Sequence, residues 1–292
     1  MRSMTLRRQF ASQAILAIVG LFVIVPIWIL VILATDATIK GLPTSFRLFP
    51  AEPTAARFVE AWIRPDRELD FLGLLRNSLF VSGVSSGIAL LFGASMAYAF
   101  ARMRFPGARV GLFAIILGAF LPPIALATPL FILFFALENA VPALRAAGFR
   151  GSDLALAIVY ASFAMPLCVW LMRAAFRAVP AELEEAAFVE GAGRLTAFRR
   201  VTLPIAAPSI LVAAVVAFLI GYSEFALAWL FASSERNLTL AMVLASAQVG
   251  FFSTEWGQTA AHALLMTFPV VVIFVVLQRA LLRGSLVGTA GD

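Results

Sequence analysis

Charge is scarce in this chain: only 13% of its 292 residues are Asp, Glu, Lys or Arg, whereas 62% are hydrophobic. A soluble domain carries about 25% charged residues. A water-facing globule is therefore excluded, and an integral membrane protein is expected. Cysteine and histidine occur once each, as Cys168 and His262. That excludes a disulfide framework and a Cys/His metal site. Lysine also occurs once, in Ile39-Lys40-Gly41. A Walker-A loop needs Gly-Lys-Ser or Gly-Lys-Thr, so the chain cannot hold ATP in that way. Any ATP-driven work belongs to a separate chain. The sequence also lacks a His/Asp/Ser set, a His-Glu-x-x-His motif and a pair of carboxylates inside an apolar run. An enzyme such as an intramembrane protease or lipid transferase has no catalytic constellation here.

What the chain has is long apolar runs. Ala14 to Ala34 is uncharged and long enough to cross a bilayer at about 20 residues per span. It exceeds the ~7–15 residues of a signal-peptide core, so it reads as an uncleaved first span with Pro26 inside it. Leu74 to Phe100 is the second span. Its Gly83-x-x-x-Gly87 pair permits close helix approach, with packing inside the bundle favoured over homodimerisation. Val110 to Leu137 is the third and contains Pro122, Pro123 and Pro129. It is either a kinked span beside protein or a watery path, or a helix that ends early before a second apolar helix. Leu154 to Met172, Ile205 to Phe231 and Ala263 to Leu277 complete six spans, the last with Pro269 inside. Between the first two spans, residues 36–73 form a proline-rich polar connection in which Thr54 to Trp62 suits a short amphipathic helix.

Six spans place both termini on one side. Basic residues outnumber acids more than twofold across 1–13, 101–109, 173–204 and 279–292, while acids slightly outnumber bases on the other side. The Lys/Arg-rich side is expected to be cytoplasmic. The pI near 10.6 is thus explained by residues flanking the membrane rather than by nucleic acid.

One segment departs from the greasy background. Pro180 to Pro204 carries four acids and three arginines. Pro180 suits a first helical position, and Glu182, Glu184 and Glu185 fall where carboxylates meet the positive end of the helix dipole. Leu183, Ala186, Ala187 and Glu190 share one face. Gly191 and Gly193 end or bend the helix. A helix this short is marginal by itself; pinned between two spans it suits a docking knob.

The spacing Glu185-Ala186-Ala187, three residues, Gly191, nine residues, Val201-x-Leu203-Pro204 resembles the cytoplasmic EAA loop of bacterial ABC importer permeases. The family pattern is E-A-A-x3-G-x9-I-x-L-P, and only Val201 departs from it. The flanks are similar to the maltose-type carbohydrate branch: Arg76-Asn77-Ser78, Ala97-Tyr98-Ala99-Phe100-Ala101-Arg102, Arg104-Phe105-Pro106-Gly107, Gln278-Arg279 and Arg283-Gly284. The resemblance covers roughly residues 10 to 290.

That resemblance implies an all-α MetI-like permease core of six transmembrane helices in a bacterial inner membrane. Residues 1–13 and 284–292 are then cytoplasmic ends around a 14–283 permease domain. It implies a second permease subunit, two ATP-binding subunits and a soluble or lipid-anchored sugar-binding protein. ATP and Mg would be bound by the partner ATPase, with no cofactor on this chain. Glu185, Ala186, Ala187, Gly191, Leu203 and Pro204 occupy the ATPase-coupling positions. Tyr222, Ser223 and Glu224 are candidates for a gate or translocation path, because Glu224 is the only acid within an apolar run. About 20 residues beyond Pro204, at 1.5 Å each, it lies near the outer interface. Phe251, Phe252 and Trp256 are candidates for binding-protein contact, with membrane-interface aromatics as the alternative. An ion-coupled secondary transporter is the rival reading, and it lacks a mid-membrane charged site.

Overall fold

The structure, a computed structural model, describes residues 6–41, 43, 47–63, 69–231, 237–247 and 255–287, with positions 6, 11 and 279–287 described by backbone alone. Among the described residues there is no strand, only one isolated bridge between Asp36 and Pro53. The helices are α1 (Leu6–Thr35), α2 (Ala56–Ile63), α3 (Phe71–Arg102), α4 (Ala108–Gly118), α5 (Pro123–Ala140), α6 (Pro142–Ala146), α7 (Asp153–Ala178), α8 (Ala181–Val189), α9 (Arg194–Ala197), α10 (Leu203–Ser223), α11 (Ala228–Phe231), α12 (Leu240–Ser246) and α13 (Trp256–Val287). Six are long and apolar enough to cross a membrane: those at Arg7–Thr35, Phe71–Arg102, Pro123–Ala140, Asp153–Ala178, Arg194–Ser223 and Trp256–Gln278.

Two compact units share these elements. The first comprises residues 1–71 and 244–269. Its α1 leaves Phe22, Leu16 and Ile18 largely exposed, which suits a helix whose solvent is lipid. Its small core gathers Leu33, Ala34, Ala61, Ala260 and Ala261. The connection after α1 is knotted by a buried Asp36 and a half-buried Arg57. The fully buried Asp36 carboxylate accepts from the Ala51 N–H at 2.8 Å, the Thr38 N–H at 3.0 Å and the Thr38 hydroxyl at 2.7 Å. The Arg57 guanidinium donates to the Leu33 carbonyl in the last turn of α1 and to the Asp36 and Ile39 carbonyls just beyond it, so it satisfies one helix-end acceptor and pins the chain that follows.

The Ala51 amide holds the Asp36 carboxyl far below the usual carboxylate range, against burial that pushes it up, with Thr38 adding to the lowering. A depressed carboxylate stabilises the fold above its unfolded pKa of about 3.9 and loses that contribution as pH falls toward the lowered value. Asp36→Ala is expected to speed amide exchange at Thr38 and Ala51 by about tenfold or more at neutral pH. Unchanged protection would remove Asp36 from this role.

The second unit comprises residues 72–243 and 270–292 and is built on α7. Ser152 caps this helix by accepting from the Ala155 N–H at 3.2 Å, and Asp153 sits in the favourable first turn. One helix face is small (Ala157, Ala161, Ala164), so α10 packs closely along it. Tyr160, Val169, Met172 and Phe176 fill the remaining space. Polar residues add interhelical bonds: Ser86 donates to the Ala214 carbonyl at 3.0 Å, and Asn77 to the Leu238 carbonyl at 3.0 Å. Ser78 accepts from the Leu240 N–H at 2.8 Å.

Several expectations narrow or change. The third apolar run takes the second of its two expected forms: α4 ends early at Gly118 and α5 begins at Pro123, because neither Pro122 nor Pro123 can donate to a continuing ladder. Pro129 stays inside α5. The fifth span ends at Ser223 rather than Phe231, and Glu224 follows it as an extended residue. Pro180 precedes α8 instead of opening it. The C-terminal segment remains helical through Val287, into the region read as a tail. Gly83 and Gly87 are exposed, and a Cβ at either would meet nothing within 4 Å. Among the described residues, nothing packs against that pair. Gly93 and Gly221 do pack within the chain, against Met172 and Cys168 and against Ser82.

Candidate functional site: a short helix anchored by a buried carboxylate

α8 is where the sequence signal and the geometry meet. Three consecutive features close its C-terminus. Gly191 adopts φ +87°, its N–H donates to the Phe188 carbonyl at 3.0 Å, and the Ala192 N–H donates to the Ala187 carbonyl at 2.9 Å. These are the two bonds of a Schellman cap, with Gly191 at the left-handed position. A Cβ there would meet no atom within 4 Å, so the demand for glycine within this chain is conformational. A non-glycine residue costs about 1–2 kcal/mol in this region. Gly191→Val is expected to speed proteolysis of residues 180–204 severalfold or more, while Gly191→Asn, which tolerates the conformation, keeps most of the native resistance. Equal proteolysis of both variants would contradict the cap as the reason for this glycine.

The helix is tied inward by one residue. Glu184 is 4% exposed. Its carboxylate accepts from Arg102 Nε at 3.0 Å, from the Tyr98 hydroxyl at 3.1 Å and from the Thr202 hydroxyl through a short bond. Arg102 also donates to the Val179 carbonyl at 2.6 Å. Beneath lies a three-ring cluster: Tyr98 and Phe198 centroids are 4.5 Å apart, and Phe176 lies 5.7 Å from Phe198. One carboxylate thus joins α8 to the end of α3 and to the residue just before α10. A buried ion pair with every partner in place is costly to break from one side.

The opposite face of α8 is open. Glu185 and Ala186 are exposed, Ala187 is half-buried, and Leu183 and Glu190 are exposed. The stripe expected from helical spacing is therefore on the surface. A cleft of about 180 Å³ runs beside it, bounded by Glu185, Phe188, Ala181, Met103 and Arg194. Leu203 and Pro204 sit at the start of α10, linked to α8 through the Thr202–Glu184 bond. The turn before them, Phe198–Thr202, is a π-turn. Pro204 has no N–H to donate, so a regular α ladder is interrupted there.

Tyr222, Ser223 and Glu224 lie at the other end of α10, roughly 30 Å away at 1.5 Å per residue. Tyr222 is buried and stacks on Phe218 with centroids 5.5 Å apart. Ser223 is exposed and donates back to the Leu219 carbonyl. The Glu224 carboxylate accepts from the Ala226 N–H at 3.0 Å and the Leu227 N–H at 3.2 Å, and Tyr160 donates to its carbonyl at 3.1 Å. These bonds give Glu224 a turn-forming task at the helix end. Trp256 opens α13 and is half-buried. Phe251 and Phe252 lie outside the described residues.

Sequence reasoning selected Glu185 and passed over its neighbour Glu184. The available signal was the pair Tyr98 and Arg102, four residues apart and so on one face of α3.

Comparison with known proteins bears on the family and the fold. Residues 89–285 match the family model described as "Binding-protein-dependent transport system inner membrane component". The chain is 33% identical over 215 residues to the trehalose transport system permease SugB of Mycobacterium tuberculosis, covering 73% of this chain and 75% of that one. It is 30% identical over 281 residues to the sulfoquinovosyl glycerol permease SmoH of Agrobacterium fabrum, covering 96% and 92%. Its fold is similar to a chain in the crystal structure of a bacterial ABC transporter involved in import of the acidic polysaccharide alginate, with TM-score 0.69, 20% identity and coverage of 96% and 99%. The chain belongs to the family of inner-membrane components of binding-protein-dependent transport systems.

Proposed function

We propose that this permease imports a sugar or related polyol and that α8 is the helix through which a separate ATPase drives it. As a family member it is a multi-pass inner-membrane transport subunit, and ATP hydrolysis belongs to another chain. The observation that carries the proposal is the two-faced α8: Glu184 fixes the helix to α3 and α10, while Glu185 and Ala186 face outward. A push delivered to the outer face passes through the buried carboxylate to two membrane helices. The small alanine side chains let a partner approach the backbone closely. ATP and the loaded binding protein then each favour a different state of the spans.

The working unit we propose has a second permease, two ATPases and a soluble or lipid-anchored binding protein. Sugar specificity is supported by the relatives named for trehalose and sulfoquinovosyl glycerol. Purification of the tagged chain from native membranes in mild detergent tests this assembly. The expected companions are an ATPase, a second permease and a binding protein whose melting temperature rises with a di- or oligosaccharide. A preparation that transports without any ATPase would overturn the proposal.

A further inference from the structure

A second feature of the chain lies away from α8. A cavity of about 480 Å³ opens where the end of α3, the start of α4 and the end of α7 converge. Four arginines line it: Arg104, Arg109, Arg173 and Arg177. No acidic residue lines it. Elsewhere in the same unit, arginines near carboxylates find them: Arg102 pairs with Glu184 at 3.0 Å and Arg150 with Glu138 at 3.7 Å. Among the described residues, none of the four cavity arginines has such a partner. Arg173 donates only to the Phe100 carbonyl, at 3.3 Å. Arg173 is half-buried, and Arg104, Arg109 and Arg177 are exposed; like charges gathered around one opening repel unless an anion joins them.

The surroundings say what kind of anion. Gly107, at φ +80°, turns the chain sharply between α3 and α4 and brings Arg104 and Arg109 to the same opening. From that opening α4 runs away with no buried residue, and Val110 (73%), Phe113 (68%) and Leu117 (53%) are exposed along it. Phe100 and Phe105, with centroids 5.5 Å apart, line the cavity beside the guanidinium groups. A basic opening that continues into an apolar, exposed helix face matches a ligand with an anionic head and acyl chains. Guanidinium forks suit phosphate oxygens, and basic pockets between transmembrane helices on the cytoplasmic side recognise anionic head groups. The Lys/Arg count leads one to expect these residues on that side.

We propose that this cavity binds the phosphodiester head group of an anionic membrane phospholipid, with its acyl chains along α4. The shared chemistry with a free phosphate ion is the anion itself; the apolar continuation selects the lipid.

The test uses the assembled transporter, reconstituted in bilayer discs made from equal amounts of phosphatidylglycerol and phosphatidylethanolamine. Lipids retained after transfer to detergent are counted by native mass spectrometry. The wild type is expected to keep phosphatidylglycerol selectively. The double variant R104Q/R109Q, which changes only exposed side chains, is expected to lose roughly tenfold or more of that selectivity. Arg145→Gln, an exposed arginine outside the cavity, serves as the control and is expected to keep it. Identical phosphatidylglycerol retention by wild type and R104Q/R109Q would overturn the proposal. Complete displacement of the lipid by inorganic phosphate would assign the site to a free anion and overturn it too. Protection of the four arginines by an acidic protein partner in lipid-free detergent would do the same.

Discussion

Glu185→Lys is expected to abolish ATP-driven uptake while the chain still inserts and keeps its melting temperature. The side chain is exposed and makes no bond that holds α8 in place. Surface substitutions of this kind shift stability by about 0.5 kcal/mol or less. Its effect therefore falls on the partner. Reversing a charge that meets a basic residue across an interface costs several kcal/mol, which at 1.4 kcal/mol per tenfold removes at least about a hundredfold of coupling. Uptake of labelled sugar into vesicles, alongside the thermal melt of the purified assembly, separates the two effects. Normal uptake would sink the assignment of α8, whereas lost uptake with lost stability would make Glu185 merely structural.

The adjacent position should behave in the opposite way. Glu184→Ala removes the acceptor shared by Arg102, Tyr98 and Thr202. It leaves the Arg102 guanidinium, 17% exposed, without its carboxylate. Breaking a buried ion pair from one side costs about 3–5 kcal/mol. The expected result is a melting temperature lower by several degrees and faster proteolysis of residues 180–204. Uptake falls as a consequence, because α8 is no longer tied to α3 and α10. Glu184→Gln keeps an acceptor and should lie between the two. A melt unchanged in Glu184→Ala would show that the carboxylate does not anchor the helix.

The contrast between these neighbours also shows where sequence reading stops. Six apolar runs announce six helices because lipid demands continuous hydrophobicity and internal hydrogen bonding. The long spacing from Glu185 to Pro204 marks the loop. Adjacent helical residues, however, point about 100° apart, and which acid faces inward depends on Tyr98 and Arg102. Those lie 86 and 82 residues from Glu184 in the chain; their spacing puts them on one face of α3, but it does not say which acid they meet. Asp36 hid for the same reason, since its partners Ala51 and Glu52 come from the far side of a loop. The fifth span was overrun because Phe225 to Phe231 is as apolar as what precedes it. The break instead comes from the Glu224 carboxylate bonding the N–H groups of Ala226 and Leu227. The C-terminal helix was cut short because polar residues from Gln278 onward read as a tail, although they are compatible with a helix leaving the membrane.

The central claim is that the outer face of α8 meets the ATPase, and cross-linking tests it most directly. Ala186→Cys places an exposed thiol on that face, while the native Cys168 is buried. Ala51→Cys places an equally exposed thiol in the connection after α1. Native membranes containing the assembled transporter would be treated with a short thiol-to-amine cross-linker. The account predicts a covalent adduct between the Ala186→Cys permease and the ATPase chain, and none from Ala51→Cys. An adduct to the ATPase from Ala51→Cys but not from Ala186→Cys would contradict it.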